Sequence, residues 1–121
     1  IDHMGYPTME GGIHEWQPIL DLAQWPNLFV KISDVKGRSK QKFPYRDTHP
    51  FVQELVNSFG PERCLWGTGY PGHHRMKHGW LSLEEELRLV REGFDFLTER
   101  ERDLILGGTA ATVWGLDSHH L

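Results

Sequence analysis

Hydrophobic and polar positions alternate along the chain with two periods, one typical of helices and one of buried strands. A helix is predicted over Ile13–Gln24, since its apolar residues recur on one helical face: Ile13, Trp16, Leu20 and Ala23. Proline is tolerated near a helix's first turn, so Pro18 predicts that the regular part begins near Trp16. A second helix is predicted from Pro50 to Gly60, with five apolar residues on one stripe: Phe51, Val52, Leu55, Val56 and Phe59.

Two short apolar runs predict strands. Leu28–Ser33 is almost continuously apolar, as parallel strands buried on both faces are, and Cys64–Thr68 is a shorter run of the same kind. Ile1–Gly5 resembles the end of a third strand that runs directly into a loop. The polar, basic stretch Lys36–His49 is predicted to be a loop.

The C-terminal third predicts helices. Ser82 and Glu85 form a capping box at the start of a long helix whose predicted buried face ends at Leu97. A second capping box, Thr98 with Glu101, opens another helix that we expect Gly107-Gly108 to close. A last short helix is predicted over Thr109–Trp114.

Strands that alternate with helices predict an α/β fold with a parallel sheet. A complete (β/α)8 barrel needs about 250 residues, and the chain has 121. Two strands and a stub make a very small sheet, so we expect part of a larger unit.

Composition excludes several classes of protein. The formal net charge is −4, which argues against a nucleic-acid surface, and no apolar run approaches the length of a membrane span. The one cysteine, Cys64, excludes an internal disulfide framework and fits a reducing compartment, so we expect a cytoplasmic protein. Cys64 itself is predicted to be a small buried hydrophobe.

Polar residues follow each predicted strand, where parallel α/β folds place their ligands. These strand ends are Asp2-His3, the turn Ser33–Arg38, and Thr68-Gly69-Tyr70. Their convergence on one rim indicates half of an active site. The alternative, that each strand end simply carries some polar residue, is equally compatible with the spacing.

Four stretches, in order, resemble the amidohydrolase-related TIM-barrel hydrolases, a group that contains carboxylate decarboxylases and sugar or pyrone lactonases. They are DHMGYP at Asp2–Pro7, LFVKIS followed by Gly37-Arg38, FGPERCLWGTGYP at Phe59–Pro71, and LILGGTAATVWGL at Leu104–Leu116. The resemblance implies a partial (β/α)8 TIM barrel over residues 1–116, comprising strands six to eight with their helices and the C-terminal helices. Residues 117–121 are expected to form a disordered tail.

By the same resemblance, His3 matches the histidine that ends strand six and faces the active site. In the family it activates or orients water, or contacts substrate or a second metal. The family's strand-eight aspartate ligates a divalent, zinc-like metal, but Gly69 occupies that position here and has no donor group. The His-x-His pair of strand one is absent, so the resemblance does not imply a metal bound by this chain alone.

Two further residues are candidates for binding a substrate carboxylate. Arg38 lies where the lactonase-like branch often places a cation, and its guanidinium suits bidentate binding. Tyr45 can add a hydroxyl. The alternative is a solvated basic loop, because Lys36, Lys40 and Lys42 surround Arg38.

The histidines His73, His74 and His78 suggest a metal site, since two of them are four residues apart. Flanking glycines make a helix there doubtful, so a solvated loop is the preferred interpretation.

Three hypotheses follow for the function. The first is a metal-dependent hydrolase of lactones or amides, or a related decarboxylase, acting on a small carboxylate and inactive without an N-terminal half. The second is a non-catalytic remnant that binds or assembles, through self-association or pairing with such a half, because truncated parallel sheets expose strand edges. The third is a split gene whose product has no independent role.

Overall fold

The computed structural model describes residues 1–72, Lys77 and residues 82–116. Within these ranges the helices are α1 (Gly12–Asp21), α2 (Val35–Arg38), α3 (His49–Phe59), α4 (Leu83–Arg88), α5 (Glu99–Asp103) and α6 (Thr109–Val113). The strands are β1 (Val30–Ile32) and β2 (Cys64–Trp66). The predicted sites at His73, His74 and His78 and the predicted tail at 117–121 lie outside the described residues.

The two strands pair in parallel, with Val30 opposite Cys64 and Ile32 opposite Trp66. This confirms the predicted parallel α/β arrangement, in a helix-rich chain with a small sheet. Val30 and Ile32 are fully buried and belong to the same core cluster as the apolar stripes of α1 and α3. Cys64 is buried too, as predicted.

The predicted strand stub at Ile1–Gly5 is reduced to one residue. The N–H of Ile1 donates to Phe29 O at 2.8 Å, and the N–H of Lys31 donates to Ile1 O at 2.9 Å, which is the bond pattern of a parallel pair. Asp2–Gly5 then form a 3₁₀ turn rather than a strand, because the backbone turns left-handed at His3.

Helix α1 begins at Gly12, so the prediction of a start near Trp16 was wrong. Pro18 lies inside the helix. It is tolerated because Pro18 and His14, whose carbonyl loses its helical partner, are both on the exposed face. A 3₁₀ turn, Leu22–Gln24, completes the predicted length.

The segment Lys36–His49, predicted as a loop, contains regular turns. Helix α2 occupies Val35–Arg38, and a 3₁₀ turn covers Arg46–Thr48 just before α3. The buried side chain of Val35 anchors α2 to the core. The sequence does not indicate this apolar contact, because basic residues follow Val35.

The predicted long helix from Ser82 to Leu97 ends earlier. Its Ser82 cap is present, but α4 continues as a π-helical turn, Leu89–Gly93, and Phe94 leaves the helical region. Leu83, predicted on the buried face, is 42% exposed, while Glu86, at 8% exposure, faces inward.

Gly107-Gly108 do not close a helix as predicted. The capping box of Thr98 and Glu101 is present, but α5 runs through a π turn, Leu104–Gly108, directly into α6. Gly108 keeps helical dihedral angles, and a Cβ there would lie 3.0 Å from the Leu104 side chain. The glycine therefore serves close packing inside the helix.

Arg63 joins the segments that enter both strands. Its Nε donates to Phe59 O at 3.0 Å, and its Nη1 donates to Trp25 O at 2.8 Å and to Leu28 O at 3.4 Å. Its Nη2 donates to Ala23 O at 2.9 Å. One guanidinium thus satisfies carbonyls at the end of α3 and along the connection from α1 to β1.

The replacement Arg63→Met is expected to lower the free energy of unfolding by about 2–3 kcal/mol, because it keeps the aliphatic stem but leaves these carbonyls without a charged donor. Urea denaturation measures the loss. Arg91→Met, at an exposed position, is the matched control and should change stability by less than about 0.5 kcal/mol. Equal effects of the two variants would contradict this role of Arg63.

Burial raises the pKa of the Cys64 thiol to about 12. At pH 8 the folded chain should therefore react with a disulfide reagent far more slowly than the same chain in denaturant, because only the thiolate is nucleophilic. Absorbance of the released chromophore measures both rates, and Cys64→Ser gives the blank. Rapid labelling of the folded protein would contradict the buried position.

Candidate active site

The C-terminal ends of β1 and β2 form the rim on which the candidate residues gather. Ser33 and Asp34 follow β1, Gly67 follows β2, and the N–H of Gly67 donates to Ile32 O at 3.3 Å. Since Ile1 pairs beside β1, the turn after it brings His3 to the same rim. The predicted convergence of strand ends is therefore seen for the described segments.

His3 and Ser33 form the closest polar contact of the rim. The Nδ1 of His3 lies 2.8 Å from the Oγ of Ser33. Ser33 is 2% exposed, whereas His3 is partly exposed. The His3 ring is therefore held by Ser33 on the side that faces the protein and is partly exposed to solvent on the other side.

The backbone around His3 is strained and firmly held. His3 and Met4 have positive φ angles of 49° and 59°, which L-residues rarely adopt and which cost of order 1–3 kcal/mol each. The indole Nε1 of Trp16 donates to Met4 O at 2.7 Å, and the Met4 side chain is fully buried. Contacts from α1 thus fix the direction in which His3 projects.

Arg38 joins the same group of side chains. Its guanidinium lies 5.6 Å from the ring centroid of Tyr6, and its Nη2 is 3.4 Å from Asp34 Oδ2. Tyr6 also meets the His3 ring edge to face, at a centroid distance of 5.5 Å. We call these residues the His3 cluster: His3, Tyr6, Ser33, Asp34 and Arg38.

The Nε of Arg38 is a buried donor without a hydrogen-bond partner in the described part of the chain. A buried, unsatisfied N–H is unfavourable by about 1–3 kcal/mol. The described residues therefore leave part of the hydrogen-bonding capacity of this guanidinium unused.

A second cation lies on the sheet beside the cluster. Lys31 Nζ is 2.9 Å from Asp2 Oδ1, and this hydrogen bond and charge lower the pKa of the Asp2 carboxyl. The stem of Lys31 crosses over Gly67, where a Cβ would lie 2.8 Å from Lys31 Cε. A side chain at position 67 would therefore have to displace the end of Lys31.

Tyr45 lies on the other side of the β1 end. It is 3% exposed and lines a narrow cleft, with room for about one water molecule, together with Ser33, Asp34, Trp66 and Glu86. Burial and the nearby charges of Glu85 and Glu86 raise the pKa of Tyr45, so its phenol remains a donor at neutral pH. Ser33 and Asp34 belong both to this cleft and to the His3 cluster.

Gly69 is exposed beyond the end of β2 and provides no ligand. Among the described residues, no group of three or more His, Cys, Asp or Glu side chains is placed to hold a metal ion. The described residues therefore do not fit a metal centre on their own.

Three residues of this rim were not singled out by sequence reasoning. Ser33 and Asp34 were included only as part of a turn, and Lys31 was treated as part of an apolar strand. Only the structure connects Gly37 with Asp34, since a Cβ at position 37 would lie 2.5 Å from Asp34 Oδ1.

With this geometry in view, comparison with known proteins identifies the class. The profile of the amidohydrolase family matches residues 1–116, and the chain belongs to this family. The resemblance inferred from the four sequence stretches is therefore confirmed.

Among the described residues, every helix is too short or too polar to span a lipid bilayer.

Two relatives with named activities are similar to this chain in sequence. The L-fucono-1,5-lactonase of Burkholderia ambifaria is 28% identical over 127 aligned positions, covering 97% of this chain and 41% of that protein. The 2-pyrone-4,6-dicarboxylate hydrolase of Comamonas testosteroni is 32% identical over 88 positions, covering 64% of this chain and 28% of that protein. The chain thus spans less than half the length of these relatives.

Solved structures show the same fold. An amidohydrolase from Burkholderia multivorans with bound zinc superposes with a TM-score of 0.77 at 24% identity, covering 96% of this chain and 43% of that one. The same enzyme with bound HEPES gives a TM-score of 0.78 at 23% identity.

The replacement Gly37→Ala should displace the Asp34 carboxylate and weaken its ion pair with Arg38, because the added Cβ would overlap Asp34 Oδ1. We expect the free energy of unfolding to fall by about 1 kcal/mol. Thermal denaturation followed by circular dichroism measures this change. Gly107→Ala is the control, since its Cβ would meet no atom within 4 Å; a loss at Gly107 equal to that at Gly37 would contradict the prediction.

Proposed function

We propose that the chain supplies strands six to eight of a (β/α)8 barrel hydrolase that opens a lactone or amide, or carries out a related decarboxylation, on a small carboxylate. The two relatives are named as a lactonase and a pyrone hydrolase, which supports a lactone as the class of substrate. The chain spans less than half of each relative, which fits residues 1–116 as one part of a larger active unit. The single free cysteine supports a cytoplasmic location.

The observation that supports the proposal most strongly is that His3 and Arg38 lie on the same rim and contact the same neighbouring residues. An imidazole and a guanidinium share the Tyr6 ring as a neighbour, and the turn Ser33-Asp34 contacts both. A neutral imidazole can exchange a proton or a hydrogen bond with a reacting oxygen near neutral pH. A guanidinium can hold a carboxylate in a fixed orientation.

Arg38 is the proposed carboxylate site. Its side chain is 27% exposed, so the guanidinium can donate to a substrate oxygen, while Asp34 Oδ2 contacts Nη2. Tyr45, buried across the shared turn, adds a phenol that donates from the cleft. Together they favour a substrate with a carboxylate and further oxygen atoms.

The related zinc-bound structure supports a divalent metal in the family. The described residues of this chain do not provide its ligands, and Gly69 removes the strand-eight carboxylate. We therefore derive no step through a metal, and assign to this chain the binding and orientation of substrate.

A second function, a non-catalytic binding or assembly module, is favoured by two observations. Gly69 lacks a donor group, and Trp114 is 74% exposed beside an apolar surface that includes Phe29 and Leu65. Such a module would associate with itself or with an N-terminal half, and would not hydrolyse lactones when completed, even with Gly69→Asp.

The decisive experiment joins the missing N-terminal part of the Burkholderia ambifaria lactonase to this chain, with and without Gly69→Asp, with zinc supplied. We expect hydrolysis of 2-pyrone-4,6-dicarboxylate or L-fucono-1,5-lactone only when Asp replaces Gly69. In that background Arg38→Gln should raise KM for the dicarboxylate by about 10- to 100-fold, since a charge-assisted contact contributes about 1.5–3 kcal/mol. Absorbance of the pyrone and pH-stat titration measure turnover.

Arg46→Gln is the matched control, because Arg46 is exposed and pairs only loosely with Asp95, at 3.7 Å. A folded, zinc-loaded chimera without turnover would reject the hydrolase and favour the binding module. An equal effect of Arg38→Gln on the dicarboxylate and on the uncharged lactone would reject the carboxylate site.

A further inference from the structure

We infer that Ser33 fixes the tautomer of His3, so that neutral His3 carries its proton on Nε2 and presents a hydrogen-bond donor at the rim. Ser33 is then a positioning residue, and His3 donates to a substrate oxygen instead of accepting a proton from water. The reference to substrate rests on the proposed function, whereas the tautomer does not.

The hydrogen bond between the two side chains determines the direction of donation. A serine hydroxyl has one hydrogen to donate, and Ser33 is 2% exposed, so solvent does not receive it. In the described part of the chain, His3 Nδ1 at 2.8 Å is the acceptor within reach of Oγ. Ser33 therefore donates, and Nδ1 must offer its lone pair.

The opposite tautomer is disfavoured by burial. If Nδ1 carried the proton, it would donate to Oγ and leave the hydroxyl hydrogen without an acceptor among the described residues, which is unfavourable for a residue that is only 2% exposed. A neutral imidazole whose Nδ1 is unprotonated has its hydrogen on Nε2.

The ring cannot easily escape this arrangement by rotating. Its backbone is held left-handed, Trp16 fixes the next carbonyl, and Tyr6 meets the ring edge to face. A flipped ring would lose the contact with Ser33.

The consequence is a pair of donors directed at one ligand. Nε2–H of His3 and the guanidinium of Arg38 both suit oxygen acceptors, such as a lactone carbonyl and a carboxylate. The chain's own contribution at this rim is then to bind and polarise oxygen atoms, and the acceptor for a water proton belongs to another group.

A serine that donates to an imidazole also resembles an activated nucleophile. The burial of Ser33 argues against attack on a substrate, and Nε2 of His3 has no third residue to orient it in the described part of the chain. We therefore assign positioning, and nucleophilic attack becomes an outcome of the test.

The experiment is long-range ¹H–¹⁵N NMR of the 121-residue chain at about pH 9, where an ordinary imidazole is neutral. The His3 signals are identified by their loss in His3→Gln. We expect an unprotonated Nδ1 and a protonated Nε2. Ser33→Ala should shift both signals toward a mixture of tautomers, and Ser33→Thr, which keeps the hydroxyl, should retain the wild-type pattern.

Ser58→Ala, on the exposed face of α3, is the matched control and should leave the His3 signals unchanged. A protonated Nδ1 in the wild-type chain would overturn the inference, even if Ser33→Ala fails to fold. Labelling of Ser33 by a fluorophosphonate would likewise overturn the positioning role. The NMR experiment measures the tautomer without any turnover. If the chain shows the expected tautomer but the chimera is inactive, the proposed function is rejected and the inference about Ser33 stands.

Discussion

The guanidinium of Arg63 sets the geometry on which the rest of the chain depends. By donating to backbone carbonyls at the end of α3 and along the chain that enters β1, it places the N-terminal ends of β1 and β2 side by side. Side-chain donors are needed here because carbonyls between elements have no partner in a ladder. The register of Val30 opposite Cys64 follows, and with it the level at which both strands end.

That register explains why the candidate site residues meet at the opposite end of the sheet. Because the strands end together, the turn Ser33-Asp34 lies beside Gly67, and the one-residue pairing of Ile1 brings His3 to the same place. Asp34 faces Arg38, and the resulting rim is polar on one side and closed by the buried Tyr45 on the other.

The sequence predicted the parts of the structure that depend on apolar period and capping. The strand segments, helix α3, both caps and the family could be identified, since burial patterns and capping residues are local signals. The π turns after Arg88 and Asp103 could not be predicted, because they come from tertiary packing that overrides helical register. Glu86 has the composition of a solvated position in the sequence, but it is 8% exposed and faces the cleft beside Tyr45. The role of Ser33 could not be predicted, because a serine hydroxyl can be assigned a role only when its hydrogen-bond partner, here His3, is known.

The hydrogen bond from Trp16 to the carbonyl of Met4 connects helix α1 to the turn that carries His3. The indole therefore holds a peptide unit directly beside the imidazole. Substitutions in α1 that displace Trp16 would shift the position of His3, although α1 contributes no side chain to the His3 cluster.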